Sequence, residues 1–356
     1  MAFSVINGIR IHYEIQGSGT PLLMFAPGGF GSTIARWTAA GGKREWQEMD
    51  GLATLQAIRA RAPELPVLMF SGLTERAGTL TLEALSLGAN DYVTKPSNVG
   101  SSVVPVERVR DELLAKVRAL LDLGGAPRMA PRVAAPSARQ ALAAPRARIH
   151  GVVEVLAIGA STGGPNALAD ILAALPADFP VPIVIAQHMP PMFTKLFADR
   201  LDAQCTLRVR EAATGERLVR GDVWIAPGDY HMVVRRDGEA LELFVHQGLP
   251  ENSCRPSVDV LFRSVAEAFG ASALGVVLTG MGTDGLRGAE RLRALGGQVV
   301  VQDEASSVVW SMPGSVATAG LADDVVALEH MAVSLVRRVG RGRGEGAGRS
   351  AGEERR

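Results

Sequence analysis

Between residues 151 and 340, short continuous apolar runs alternate with segments whose apolar residues recur at helical spacing. The runs VVEVLAIG, VPIVIAQ and ALGVVLTG are rich in β-branched residues and lack the strict alternation of half-exposed strands. Strands buried on both faces imply a parallel sheet with helices on each side. The sequence therefore predicts a doubly wound α/β domain. We expect DVWIAP, HMVVRR and LELFVH to form a small antiparallel insertion in it.

Two segments that are poor in large apolar side chains flank this domain. Residues 123–150 are rich in Ala, Pro and Arg, and residues 341–356 are rich in Gly, Arg and Glu. Neither can bury enough apolar surface to fold alone, which predicts a linker and a disordered tail. Upstream, residues 49–122 again alternate helix and strand, whereas residues 1–48 do not continue that pattern.

Composition excludes several classes of function. Lys plus Arg and Asp plus Glu both number 37, so the net charge is zero and nothing favours a nucleic-acid partner. The two cysteines, Cys205 and Cys254, lack metal-ligand spacing and predict reduced thiols, with no metal and no cofactor. The N-terminus lacks the features of a signal peptide, and no apolar run is long enough to cross a bilayer. We therefore expect a cytoplasmic protein without membrane insertion.

Three polar side chains follow three of the predicted strands. Ser161 lies after VVEVLAI, His188 after VPIVIA and Asp284 after ALGVVLT. The carboxyl ends of parallel strands meet at one edge of a sheet, so we expect these side chains to converge there. A hydroxyl, an imidazole and a carboxylate are the parts of a nucleophile, its base and an orienting acid. Taken singly, each residue has a plainer interpretation as a turn, packing or helix-capping residue.

The turns beside these residues are rich in glycine, and their backbone N–H groups could hold an oxyanion. The glycines concerned are Gly159, Gly163, Gly164, Gly280 and Gly282.

Three other functions remain open at this point. Gly280, Gly282 and Gly285 fit the G-x-G-x-x-G pattern, with Asp303 after the next strand, as in dinucleotide-binding enzymes. GASTG also fits the G-x-S-x-G elbow of an α/β-hydrolase, which would recruit His330 instead of His188. A third hypothesis is an inactive signalling remnant that only binds receptors.

Residues 151–325 resemble the chemotaxis protein-glutamate methylesterases of the CheB type. The resemblance rests on strings in the family's order: AIGASTGGP, IAQHMP, IAPGDYHM, RPSVDVLFRSVA, LTGMGTDG and SSVVWSMPGSVA. It implies that Ser161 is the nucleophile, His188 the general base and acid, and Asp284 the residue that orients the imidazole. It also implies that Thr162 and the backbone of Met281 shape the oxyanion site.

The same resemblance implies a substrate and partners. Members of this family hydrolyse glutamate γ-methyl esters on chemoreceptors, releasing methanol, and deamidate certain receptor glutamines. The implied partners are methyl-accepting chemotaxis receptors and a chemotaxis histidine kinase that phosphorylates an N-terminal receiver domain.

Residues 49–122 resemble the second half of such a flavodoxin-like receiver. The strings MDGLATLQAIR, VLMFSGLTERAG and ANDYVTKP imply that Ser71 is the switch hydroxyl and Lys95 the phosphate-contacting lysine. The first half does not match, since Lys43 stands where the phosphoacceptor aspartate belongs, and an ammonium would repel Mg²⁺. Residues 1–36 resemble instead the start of an α/β-hydrolase. The sequence thus predicts a partial receiver before the methylesterase domain, with little or no control by a kinase.

Overall fold

The computed structural model describes residues 51–95, 106–121, 151–237 and 240–341, together with the backbone of three short N-terminal strands. These strands are β1 (Ala2–Ile6), β2 (Ile9–Tyr13) and β3 (Leu23–Phe25). The first two form an antiparallel hairpin. Lys43, the predicted linker and all but the first residue of the predicted tail lie outside the described residues.

The part of the chain that resembles a receiver forms a small α/β unit, which we call the N-terminal unit. It comprises α1 (Gly51–Arg61), β4 (Val67–Ser71), α2 (Glu75–Ser86), β5 (Asp91–Thr94) and α3 (Val106–Leu120). Its three strands pair in parallel in the order β3-β4-β5. The predicted alternation of helix and strand is confirmed, and β3, from the atypical start of the chain, completes the sheet.

The C-terminal unit is built on a seven-stranded sheet in which every neighbouring pair is parallel. Its strands are β6 (Val155–Ala160), β7 (Ile183–Gln187), β8 (Arg208–Glu211), β9 (Asp222–Ile225), β12 (Ala273–Val277), β13 (Gln298–Gln302) and β14 (Asp324–Val326). They lie in the order β14-β13-β12-β6-β7-β9-β8. The chain starts at the centre with β6, builds one side, and then crosses to β12. The switch point of the topology therefore lies between β6 and β12.

Helices cover both faces of this sheet, as the doubly wound prediction requires. On one face lie α4 (Gly164–Ala174), α5 (Phe193–Gln204) and α9 (Leu328–Gly340). On the other lie α6 (Val258–Phe269), α7 (Leu286–Ala294) and α8 (Ser311–Thr318). The strands between them are almost wholly buried, which explains their continuous apolar runs.

The insertion is smaller than the sequence predicts. Only β10 (His231–Asp237) and β11 (Ala240–His246) form an antiparallel hairpin. The run DVWIAP was wrongly assigned to it, because β9 pairs in parallel with both β7 and β8. All four residues of β9 are buried, and such a strand belongs inside a covered sheet.

The edge strand β8 is absent from the prediction because three of its four residues are charged. In β8, Arg208 and Arg210 pair with the buried carboxylate of Asp222 on the neighbouring strand. This pairing satisfies polar groups in a run that does not look like a buried strand.

One apolar core continues from the N-terminal unit into the C-terminal unit. Leu55, Met69 and Leu82 belong to the same buried cluster as Leu168 and Phe193 of α4 and α5. No helix among the described residues is long and apolar enough to cross a membrane.

Candidate active site

The ends of three adjacent strands bring the predicted catalytic segments together. Ala160 and Gln187 are register partners at the ends of β6 and β7, so Ser161 and His188 follow paired residues. The backbone N–H of His188 donates to the Ala160 carbonyl at 3.1 Å. On the other side, the backbone N–H of Ser161 donates to the Thr279 carbonyl after β12, also at 3.1 Å. The predicted convergence at the switch point is therefore observed for the backbone.

Glycine is required at two of the turns. Gly163 has a φ of 78°, a left-handed conformation from which α4 begins. A Cβ on Gly280 would lie 2.8 Å from the Cβ of Ser161 and closer still to the sulfur of Met312. The loop after β12 can approach Ser161 only because this position has no side chain.

His188 and Asp284 form a direct pair. His188 Nε2 lies 2.8 Å from Asp284 Oδ2, and the two side chains are 14 % and 2 % exposed. Because a carboxylate accepts hydrogen bonds, this contact places a proton on Nε2 and leaves Nδ1 as the nitrogen that can take up or give a proton. The structure therefore brings two of the three predicted catalytic residues into contact.

The Asp284 carboxylate is held from all sides by hydrogen-bond donors. Besides His188, these are the side chains of Asn252 and Ser257 and the backbone N–H groups of Val258, Asp259 and Gly285. Burial alone raises the pKa of Asp284, but His188 and the backbone donors outweigh it and lower the pKa to about 2. The carboxylate is therefore ionised and fixed in orientation.

The same pair determines the protonation of His188. Burial lowers the pKa of this imidazole, but Asp284 and the sulfur of Cys254 outweigh burial and raise the pKa from 6.5 to about 10. Cys254 Sγ lies 3.6 Å from His188 Nδ1, the nitrogen that Asp284 does not occupy. Asp284 and Cys254 therefore stabilise the protonated form of the imidazole.

Ser161 is half-buried, and its hydroxyl forms no hydrogen bond with the residues that the structure describes. The backbone N–H groups of Thr162 and Met281 likewise have no acceptor within the described ranges. These two N–H groups are therefore available to an acceptor from outside the described residues, as an oxyanion site requires.

Thr162 connects this loop to the N-terminal unit. Its buried hydroxyl donates to Asp91 Oδ2 at 2.7 Å, and Lys116 Nζ lies 3.2 Å from the same oxygen. The side chain of Asn166 donates to the Leu85 carbonyl at 2.8 Å. The N-terminal unit therefore touches the residue next to Ser161.

The two predicted receiver residues have local contacts. Ser71 is buried, and its hydroxyl accepts a hydrogen bond from Thr81 at 2.5 Å. The Lys95 ammonium lies over the Phe70 ring, 5.9 Å from its centroid. Their predicted phosphate-switch roles stay predictions, since Lys43 lies outside the described residues.

The structure does not favour the two enzymatic alternatives. The Asp303 carboxylate accepts from the backbone and hydroxyl of Ser306, so it closes a turn and does not face an open crevice. His330 is 73 % exposed beside Glu329 on α9, which follows edge strand β14. Three strand spacings, or about 14 Å, separate β14 from β6.

Sequence reasoning missed several residues of the site. Asn252, Ser257 and Asp259 hold the Asp284 carboxylate or the turn around it, and Cys254 contacts His188. Ser257 and Asp259 lie in the quoted string RPSVDVLFRSVA, but the string by itself assigns them no role. Cys254 has no neighbouring ligand residue in sequence that would have revealed its position.

Two family models match this chain. The family model described as CheB methylesterase matches residues 156–335, and the one described as response regulator receiver domain matches residues 45–103. Residues 1–44 lie outside both matched ranges.

Curated relatives and a solved structure share the same description. A protein-glutamate methylesterase/protein-glutamine glutaminase of Trichodesmium erythraeum is 48% identical over 83% of this chain and 84% of its own length. One of a Nocardioides species is 48% identical over 84% of this chain and 82% of its own length. The crystal structure of the Thermotoga maritima CheB methylesterase catalytic domain has a TM-score of 0.51 and 40% identity. It covers 52% of this chain and 98% of that one.

Proposed function

Since the chain belongs to the CheB methylesterase family, we propose that it hydrolyses glutamate γ-methyl esters of chemoreceptors and deamidates receptor glutamines. Ser161 is the nucleophile, His188 the general base and acid, and Asp284 the orienting carboxylate. The observation that carries this assignment is the 2.8 Å contact between His188 and a carboxylate that accepts six hydrogen bonds. A carboxylate fixed in this way holds one tautomer of the imidazole at the edge of the sheet where Ser161 lies.

The proton transfer in acylation depends on which imidazole nitrogen of His188 is free. Because Nε2 is bound to Asp284, the base is Nδ1 of neutral His188. Ser161 Oγ attacks the ester carbonyl as its proton passes to Nδ1. The tetrahedral oxyanion accepts hydrogen bonds from the N–H groups of Thr162 and Met281. Collapse expels methoxide, which takes the proton from His188 and leaves as methanol.

Deacylation repeats the same steps with water. Nδ1 takes a proton from water as the oxygen attacks the acyl-enzyme, and the proton then returns to Ser161 as the glutamate is released. A glutamine side chain enters the same sequence, with ammonia leaving in place of methanol. Both reactions pass through one type of tetrahedral intermediate.

We also propose the division of the chain that the sequence suggests. Residues 151–340 carry the esterase, since the site and the family match fall within them. Residues 49–122 form a partial receiver that supports the loop of Thr162 through Asp91. Lys43 in place of a phosphoacceptor argues against switching by a histidine kinase.

The substrates are then the cytoplasmic, methylated segments of chemoreceptors, and the protein acts in the cytoplasm. Neither a metal nor a cofactor enters the proposed reaction.

The test is methanol release from methylated chemoreceptor membranes by the full-length protein. Ser161→Ala and His188→Ala should each abolish release, whereas His330→Ala should leave it unchanged because this histidine is exposed on α9. Release that persists in Ser161→Ala would refute the nucleophile.

Control by phosphorylation has its own test. A small phosphodonor such as acetyl phosphate with Mg²⁺ should not change the rate of methanol release by the full-length protein. Stimulation would show that the N-terminal unit still accepts a phosphoryl group.

A further inference from the structure

Cys254 lies next to the catalytic pair but has no part in the reaction proposed above. Its sulfur is 3.6 Å from His188 Nδ1, and the ligand atoms of Cys254, His188 and Asp284 all lie within 4.8 Å of one another. Both Cys254 and His188 are half-buried, and neither is fully enclosed.

The position of the sulfur is fixed by the backbone. Glu251 and Cys254 exchange two backbone hydrogen bonds of 2.9 and 3.1 Å across a tight turn. The turn residues Asn252 and Ser253 have φ values of 53° and 60°, and the Asn252 side chain is bonded to Asp284 at 2.9 Å. The turn is thereby anchored to the carboxylate that also holds His188.

The separation of sulfur and nitrogen equals that of two ligands on one tetrahedral ion. Zn²⁺ binds thiolate sulfur at about 2.3 Å and imidazole nitrogen at about 2.0–2.1 Å, which places the two ligand atoms about 3.6 Å apart. His188 Nε2 donates to Asp284, the arrangement in which a carboxylate orients a metal-binding histidine. Thiolate and imidazole select Zn²⁺ or Co²⁺ and not Mg²⁺ or Ca²⁺.

We propose that Cys254 Sγ and His188 Nδ1 form a two-ligand site for a thiophilic divalent cation such as Zn²⁺, and that occupation of the site inhibits the esterase. The ion replaces any proton on the Cys254 sulfur and on Nδ1 of His188, these protons pass to solvent, and water completes its coordination. Inhibition follows because the ion occupies the nitrogen that must take the proton of Ser161. Inhibition, though not binding, therefore rests on the proposed role of His188.

Binding is tested with Co²⁺, whose bond to a thiolate absorbs in the near ultraviolet. The full-length protein, Cys254→Ser and Cys205→Ser are each titrated with Co²⁺ in the presence of a phosphine reductant. The chain has only two cysteines, so Cys205→Ser keeps Cys254 as its sole thiol and serves as the matched control. The band should appear in the unmodified protein and in Cys205→Ser and be lost in Cys254→Ser.

Two results would overturn the site. One is the absence of the band in Cys205→Ser. This result is decisive even if Cys254→Ser does not fold. The other is a band that survives in Cys254→Ser but disappears in Cys205→Ser, which would place the ion on Cys205.

Inhibition is measured as methanol release against Zn²⁺ concentration, each variant being normalised to its own rate without metal. The Zn²⁺ concentration for half-inhibition should be at least about 100-fold higher for Cys254→Ser than for Cys205→Ser. Loss of an outer-shell partner of a metal costs about 10- to 100-fold in affinity, and loss of a direct ligand such as Cys254 should cost at least as much. A Co²⁺ band on Cys254 without Zn²⁺ inhibition would refute the inhibitory effect, because an ion bound to Nδ1 of His188 must block the base.

Discussion

Replacing Asp284 by asparagine tests the site with a change of one atom. The NH₂ group of the asparagine must replace either Oδ1, which accepts from four donors, or Oδ2, which accepts from two. The two donors at Oδ2 are His188 Nε2 and the Val258 backbone N–H. The second orientation costs less because His188 can shift its proton to Nδ1 and accept the amide at Nε2. Only Val258 is then left without an acceptor.

The magnitude follows from these two contacts. A buried donor without a partner costs about 1–3 kcal/mol, and the loss of a hydrogen bond to a charged group costs about 1.5–3 kcal/mol. Asp284→Asn should therefore lower the free energy of unfolding by about 2.5–6 kcal/mol. The proton on Nδ1 also leaves Ser161 without a base, and a wrong tautomer of this kind costs about 10⁴-fold in rate.

Urea unfolding gives the stability of Asp284→Asn, and methanol release at neutral pH gives its rate. Asp199→Asn is the control, because its carboxylate is exposed beside Lys195 and should contribute no more than about 1 kcal/mol. An Asp284→Asn variant that unfolds like Asp199→Asn, or that keeps more than about one hundredth of the wild-type rate, would refute the reasoning.

Three further outcomes follow from the same contacts. Asp91→Asn should weaken the bond from Thr162 and remove one partner of the buried Lys116 ammonium, lowering the free energy of unfolding by about 1–3 kcal/mol. A urea midpoint equal to that of the wild type would contradict this. The rate of methanol release should rise with pH towards the His188 pKa of about 10, and Cys254→Ala should move the midpoint to lower pH because the sulfur raises that pKa. An unchanged midpoint would show that the sulfur does not act on the imidazole. Since the folded pKa of His188 lies above its ordinary 6.5, the stability that it contributes should be complete below pH 6.5 and disappear as pH rises through about 10. If His188→Gln lowers the free energy of unfolding equally at pH 6 and pH 11, this pH dependence of the His188 contribution is wrong.

The sequence predicts most of the fold because periodicity and burial are linked within each segment. Continuous apolar runs indicate strands covered on both faces, and β6, β7 and β12 follow this rule. The rule fails for β8, whose arginines pair with Asp222 on the neighbouring strand. It also misplaced β9, because a short strand does not reveal whether its partners run parallel or antiparallel.

By itself, the sequence determined the parallel architecture, the edge of the sheet at which Ser161, His188 and Asp284 gather, and the family resemblance. These depend on local patterns and on the rule that parallel strands end together. Only the tertiary structure decided that Asp284 occupies Nε2 of His188, that Cys254 faces Nδ1, and that Asp91 holds Thr162. The residues of these contacts are 66 to 96 positions apart along the chain. Such contacts depend on how loops from different strands pack against each other, which no local pattern encodes.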